Sequence, residues 1–100
     1  MSISVRLERR IRRDFPRPGS AAEVMRMLDE LPDAAGYDAE YFASERVHAA
    51  VVLLAAGSSR RFHEAVRRAV TDWRDLLVAA GLGDESWPDR LQAELGARVP

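Results

Sequence analysis

Residues 58–82 constrain the fold more than any other part of the sequence, because their apolar side chains recur with the period of an α-helix. At about 100° per residue, one face of such a helix collects eight of them: Phe62, Val66, Ala69, Val70, Trp73, Leu76, Leu77 and Ala80. Ser58 or Ser59 can cap the first turn, and Gly81 can end the last turn in a left-handed conformation. The pattern predicts one continuous amphipathic helix with Trp73 in the middle of its buried face.

The preceding segment, residues 38–56, predicts a helix whose C-terminal half is apolar on every side. Its apolar residues include Val47, Ala50, Val51, Leu53 and Leu54. A helix that is apolar all round, but shorter than the roughly 20 residues needed to cross a bilayer, belongs in the centre of a bundle. Only Gly57 separates it from the next helix, so we expect the two to pack as an antiparallel hairpin.

The N-terminal segment before Pro16 is compatible with two structures. Ile3, Val5 and Leu7 alternate with polar residues as in a strand, whereas Ile3, Leu7 and Ile11 are spaced four apart as in a helix. We favour a helix because nothing later in the sequence resembles a strand that could pair with this segment. Pro16 then ends it, since the residue before a proline is disfavoured in helical conformation.

Two further helices have recognisable ends. Ser20 and Glu23 form a capping box that predicts a helix start, and Pro32 predicts its end. A last helix is predicted to begin near Ser86 and to end at Gly96. Together these segments predict an all-α fold, a compact bundle of four or five short helices with a central antiparallel helical hairpin. We expect it to form a single domain across all 100 residues.

Composition excludes several classes of site. The formal net charge is −1, so no overall field attracts the chain to nucleic acid or to a membrane. Cysteine is absent, which excludes disulfides, thiol chemistry and thiolate metal sites and fits a reducing compartment. The N-terminal arginines are not followed by the apolar run of a signal peptide. We therefore expect a soluble, cytoplasmic protein.

The segment DWRDLLVAAGL, with ERVHAAVVLLAAG before it, resembles segments of small uncharacterised bacterial proteins. The resemblance covers about the C-terminal half of the chain. It implies an all-α fold and brings no activity with it.

The sequence predicts no catalytic, cofactor or metal site. His63 and Glu64 resemble the start of a zinc-protease helix, but Arg67 stands where a second histidine is required. His48 lies in the apolar central helix, where a hydrogen bond to Ser44 or to a backbone carbonyl explains it better than acid–base catalysis does. The two histidines can approach each other across the hairpin, but two histidines without a carboxylate are weak evidence of a metal site. We predict that the protein is not an enzyme.

An arginine cluster near the N-terminus is not explained by packing. Five arginines occur within eight residues: Arg6, Arg9, Arg10, Arg12 and Arg13. On a helix, Arg9, Arg12 and Arg13 share the face opposite Leu7 and Ile11. Such a stripe can contact phosphates, or it can contact an acidic protein.

Val78 is the second feature that packing leaves unexplained. It points nearly opposite Trp73, so either the C-terminal segment covers it or it belongs to a partner surface. The predicted partner contacts are therefore Arg9, Arg12, Arg13 and Val78. We predict a small helical domain that acts through contacts with an unidentified protein partner or through self-association. The alternative is a nucleic-acid-associated protein that uses the arginine stripe.

Overall fold

Helices form most of the backbone in the computed structural model, which describes residues 3–96. The described helices are α1 (Val5–Asp14), α2 (Pro18–Ala35), α3 (Ala39–Phe42), α4 (Glu45–Ala55), α5 (Ser59–Thr71), α6 (Trp73–Ala79) and α7 (Trp87–Leu95). No strand occurs within residues 3–96, so the predicted all-α class is confirmed. The N-terminal segment is helical, as expected, with the Ser4 side chain accepting a hydrogen bond from the Leu7 amide at its start. The single domain expected over residues 1–100 stays a prediction.

The helix α4 is the centre of the fold. Seven of its eleven residues are buried: Val47, His48, Ala49, Ala50, Val51, Val52 and Ala55. It packs against α1, α3, α5, α6 and α7, and the alanines allow these neighbours to approach closely. Three residues connect it to α5, along which it packs most extensively. These contacts agree with the predicted central helix and hairpin.

The prediction of one continuous helix over residues 58–82 is wrong. The chain forms α5 and α6 instead, and Asp72 between them has an extended backbone with φ −158° and ψ 95°. The Asp72 carboxylate accepts hydrogen bonds from the amides of Arg74 and Asp75, which start α6. A short acidic side chain satisfies those amides best from outside the helix, so Asp72 favours a new helix start over continuation of the old one. The predicted end at Gly81 is confirmed by its φ of 77°.

The break at Asp72 changes the position of Trp73. This residue begins α6 rather than lying mid-helix, and its side chain is only partly buried against the core. The prediction that Trp73 lies at the centre of the buried face is therefore wrong. Phe62, Leu76 and Leu77 do lie in the core as expected.

Three other predicted boundaries are also wrong. Residues 38–56 form α3 and α4 rather than one helix, because the Ser44 hydroxyl caps α4 by accepting from the Val47 amide. The helix α2 starts at Pro18, which needs no amide partner in the first turn, so Ser20 lies inside the helix. Pro32 also lies inside α2, which ends at Ala35 before the left-handed Gly36. The predicted limits of the last helix, Ser86 and Gly96, are confirmed as its caps.

A buried ion pair joins the N-terminal half of the chain to the centre. Two guanidinium nitrogens of Arg6 donate to the Glu45 carboxylate at 2.8 Å and 2.6 Å, and the third donates to the Gly96 carbonyl at 3.0 Å. The Ser4 hydroxyl donates to the same carboxylate. The bond to Glu45 raises the pKa of Arg6, although burial opposes the increase. Through these contacts α1 is fixed to the start of α4 and to the end of α7.

Replacing Arg6 by methionine should destabilise the fold by about 3–5 kcal/mol, because the substitution leaves the Glu45 carboxylate mostly buried without its guanidinium partner. The double variant Arg6→Met/Glu45→Leu should be destabilised less, because both charges are removed together. Arg12→Met is the matched control, since Arg12 forms a more exposed ion pair on the same helix. Urea denaturation measures all three, and an Arg6→Met variant as stable as the control would contradict the structural role of this pair.

Candidate interaction surfaces

Three rings gather at the surface near the start of α6, the exposed Tyr37 and Tyr41 and the partly buried Trp73, and we call them the aromatic surface. The rings of Tyr41 and Trp73 are stacked, with 4.5 Å between centroids and 15° between planes. Tyr37 meets Phe42 edge to face, with 5.4 Å between centroids. Half of Tyr41 and 44% of Tyr37 remain accessible to solvent. Large aromatic side chains exposed in a group are typical of surfaces that bind partners.

Hydrogen bonds fix the orientation of two of these rings. The Tyr37 hydroxyl donates to the Val70 carbonyl at 2.9 Å, and the Trp73 indole donates to the Asp38 carboxylate at 3.4 Å. Tyr41 is held by the indole on which it stacks. A surface of fixed rings loses little side-chain entropy when a partner binds.

Val78 is a further exposed apolar residue on α6. It is 70% exposed and lies one helical turn beyond Arg74, whose guanidinium lies 5.3 Å from the centroid of the Trp73 ring. Gly83 approaches closely, since a Cβ atom added to it would lie 2.9 Å from a methyl group of Val78. The sequence left two explanations open for Val78. The first, that the C-terminal segment covers it, does not hold within residues 3–96.

Carboxylates dominate the surroundings of the aromatic surface. Residues 37–41 and 68–75, which carry the three rings, contain four acidic residues (Asp38, Glu40, Asp72 and Asp75) and two basic ones (Arg68 and Arg74). Glu40 is exposed and makes no ion pair with any described residue, whereas Asp75 lies 3.7 Å from Arg68. The formal surplus of two negative charges favours a basic partner.

The arginine cluster divides into internal and external members. Arg6 is buried in its ion pair with Glu45. Arg10 pairs with Asp14 at 2.9 Å and donates to the Glu94 carbonyl at 2.8 Å, which connects α1 to α7. Neither guanidinium is therefore available to a partner.

Arg9, Arg12 and Arg13 remain on the exposed side of α1 and form what we call the basic stripe. The opposite side of the helix buries Leu7 and Ile11, as the spacing predicted. The Arg12 side chain lies 3.7 Å from Glu8, and Arg13, which is 71% exposed, lies 3.5 Å from the carboxylate shared by Arg10. Arg9 makes no ion pair within residues 3–96. The stripe is thus positive overall and open to solvent.

A cleft of about 460 Å³ lies between the starts of α4 and α7. Its lining is Arg6, Ser44, Glu45, Arg46, Trp87, Pro88 and Gln92. The Arg46 guanidinium lies 4.7 Å from the centroid of the Trp87 ring and donates to the Leu82 carbonyl at 2.7 Å and 2.9 Å. Because Arg6 and Arg46 are both held by groups of the protein itself, the cleft is explained by packing between these helices.

His48 is fully buried beneath the aromatic surface. Its Nε2 lies 2.7 Å from the Phe42 carbonyl and donates to it, which confirms the predicted bond to a backbone carbonyl. The Nδ1 atom is buried and has no hydrogen-bond partner among the described residues. Burial lowers the pKa of His48, while the Phe42 carbonyl and the carboxylates of Asp29 and Glu45 act in the opposite direction. Its bond to the Phe42 carbonyl joins the start of α4 to the end of α3.

His63 is separate from this arrangement. It is exposed on α5, where its Nδ1 donates to the Ser59 carbonyl one turn earlier at 2.7 Å. Within residues 3–96 no three histidine, aspartate or glutamate side chains are grouped as metal ligands.

Comparison with known proteins yields no match to a family model, a curated protein or a solved structure. The resemblance to small bacterial proteins therefore stays a prediction. Among the described helices, none combines the length and the apolar character required to cross a bilayer.

The aromatic surface is the feature that sequence reasoning missed. Tyr41 and Trp73 are separated by more than thirty residues, and helical periodicity placed Trp73 in the core. A usable signal was present, because Tyr37 and Tyr41 stand among Gly, Asp, Ala and Glu with no apolar periodicity to bury them. Aromatic residues in a polar segment indicate either a turn that packs on the core or a contact surface.

Lowering the pH should destabilise the protein through His48. The unfolded chain takes up a proton below about pH 6.5, whereas the buried ring resists protonation, so the free energy of unfolding falls as the pH decreases from that value towards the lower pKa of the folded state. The loss should not exceed about 1.4 kcal/mol per pH unit in this window.

Urea denaturation between about pH 7.5 and 5.5 tests this pH dependence. The variant His48→Gln should show a flatter dependence than the wild type, because its side chain cannot titrate. His63→Gln serves as the control, since it removes the exposed histidine, and should retain the wild-type dependence. Equal slopes for the wild type and His48→Gln would contradict the prediction.

Proposed function

We propose that the protein is a non-catalytic interaction domain that binds another protein molecule through the aromatic surface. The observation that supports this proposal is the stack of the exposed Tyr41 on the partly buried Trp73, flanked by Tyr37 and Arg74. Tyrosine, tryptophan and arginine are the residues that contribute most to binding energy at protein interfaces. Val78 adds an exposed aliphatic contact one turn further along α6.

The rest of the described molecule favours an interaction domain over an enzyme. A catalytic site requires a nucleophile or a base within hydrogen-bond reach of a partner group, in a place that substrate can enter. His48 is enclosed by the core and bonded to a backbone carbonyl. The arginines of the cleft are held by Glu45, Trp87 and backbone carbonyls.

We place this domain in the cytoplasm of a bacterial cell. The cysteine-free sequence fits a reducing compartment, and the resemblance of the C-terminal half to small bacterial proteins supports a bacterial source. Both statements rest on the sequence alone.

Photo-crosslinking in the cells that make the protein tests the proposed surface. A photoreactive phenylalanine analogue in place of Tyr41 should give covalent adducts with protein, because its ring occupies the centre of the contact. The same analogue in place of Glu23, which is exposed on α2, is the matched control and should give few adducts. Equal yields at the two positions, or no adduct at either, would contradict the proposal.

The basic stripe supports a second candidate function, binding to nucleic acid. Arg9, Arg12 and Arg13 are exposed together on one side of α1, where they could contact phosphates. Protein binding is favoured because Arg6 and Arg10 are engaged internally, and because Glu8 and Asp14 reduce the field of the remaining three.

Fluorescence anisotropy with labelled single- and double-stranded probes separates the two candidates. We expect no binding in the low-micromolar range at about 0.15 M salt. Binding that falls steeply with salt, and is lost in Arg9→Ala/Arg12→Ala/Arg13→Ala with the helical fold intact, would make nucleic acid the leading function.

A further inference from the structure

We infer that the aromatic surface of one copy of this chain binds the basic stripe of a second copy, head to tail. The inference rests on the proposed function and names its partner. A single contact between two copies would then use both the aromatic surface, with its acidic surroundings, and the basic stripe of α1.

The charges of the two surfaces are complementary. The segments around the aromatic surface have a formal surplus of two negative charges, with Glu40 free of any ion pair to a described residue. Counted with Arg10, which shares Asp14 with Arg13, the arginines of this side of α1 number four against Glu8 and Asp14, which gives a formal surplus of two positive charges. Opposite charges on two surfaces accelerate association and favour one orientation of the partners.

Arginine is also the cation that suits exposed aromatic rings. One face of the Tyr41 ring is covered by Trp73, and half of the residue remains accessible for a guanidinium to stack upon. Such contacts are present among the described residues, where Arg46 lies over Trp87 and Arg74 lies over Trp73. An arginine from α1 of a second copy would add another contact of this type.

The two surfaces belong to different parts of the fold. The stripe lies on α1, which packs against α2, α4 and α7, whereas the aromatic surface involves α6, which packs against α4 and α5. No ion pair within residues 3–96 joins the stripe to an acidic residue of the aromatic surface. A contact between two different patches is heterologous. A dimer formed in this way keeps one unused patch on each molecule, so further copies add to it unless the assembly closes into a circle.

Two variants, each lacking one surface, test the inference by complementation. Arg9→Gln/Arg12→Gln/Arg13→Gln removes the stripe, and Glu40→Arg/Tyr41→Ala removes the acidic aromatic contact. All five positions are exposed, and circular dichroism checks that the helical fold is retained. The control Arg60→Gln/Arg61→Gln/Arg67→Gln removes the same charge from the exposed side of α5.

Analytical ultracentrifugation at low salt, from about 1 µM to 1 mM protein, should show wild-type mass that rises with concentration beyond a dimer. The control should behave like the wild type. Each surface variant alone should associate at least about tenfold more weakly. An equimolar mixture of the two variants should give a particle of twice the 11.2 kDa chain mass and no larger species, because each molecule retains one complementary surface. Raising the salt should weaken the association.

Three results would overturn the inference. The first is a wild-type protein that stays monomeric across the range. The second is a surface variant that associates as strongly as the wild type. The third is a mixture that fails to recover the dimer, since a self-complementary contact between identical patches cannot be restored by mixing.

The cellular crosslinking experiment separates this inference from the proposed function. Adducts at position 41 that consist of two copies of the chain support both. Adducts with a different protein alone support the proposed function and overturn the identification of the partner. Absence of adducts contradicts the interaction surface itself.

Discussion

Burial of α4 is the constraint on which the rest of the structure depends. A helix with apolar side chains on every side must be covered on every side, and α1, α3, α5, α6 and α7 provide that cover. Burial also reaches polar residues at its N-terminal end, where Glu45 is paired with Arg6 and His48 with the Phe42 carbonyl. These bonds satisfy groups that would otherwise be costly to bury, and they hold α1 and α3 against the start of α4. Packing against α4 therefore determines where the surface residues of α1 and α3 lie.

The sequence predicts the fold class well and the helix boundaries poorly, for one physical reason. Apolar periodicity reports which face of a segment is buried, and it continues unbroken through residues 58–82 and through much of residues 38–56. It does not report whether a polar side chain will leave the helix to cap the next one. Asp72 and Ser44 do this, because their short oxygen-bearing side chains satisfy amides that start a new helix. At Pro32 the error is the opposite one, because a helix end is predicted where α2 continues. A proline within a helix removes one backbone hydrogen bond, and α2 forms despite that loss.

The candidate site was predictable only in part because its elements come from distant parts of the chain. The exposed position of Arg9, Arg12 and Arg13 follows from the buried spacing of Leu7 and Ile11, which is a local property. Arg6 and Arg10 are not free to bind a partner, because Arg6 bonds to Glu45 and Arg10 bonds to the C-terminal end of α7. No local sequence pattern reveals these two contacts. Stacking of Tyr41 on Trp73 is likewise a tertiary contact. Local sequence thus identifies which residues are exposed, whereas tertiary structure decides which of them remain free.

The break at Asp72 connects the fold to the proposed function. In a continuous helix, Trp73 would lie on the apolar face and be buried with Leu76 and Leu77. The extended backbone of Asp72 turns the chain at this point, so Trp73 begins a new helix at the edge of the core and offers its ring to Tyr41. The Asp38 carboxylate then accepts from the indole nitrogen, a bond that full burial in an apolar core would not provide. The break at Asp72 thus produces an oriented pair of rings at the surface, with Tyr41 exposed and Trp73 partly buried. Functional sites are the places where a chain is expected to depart from such local rules.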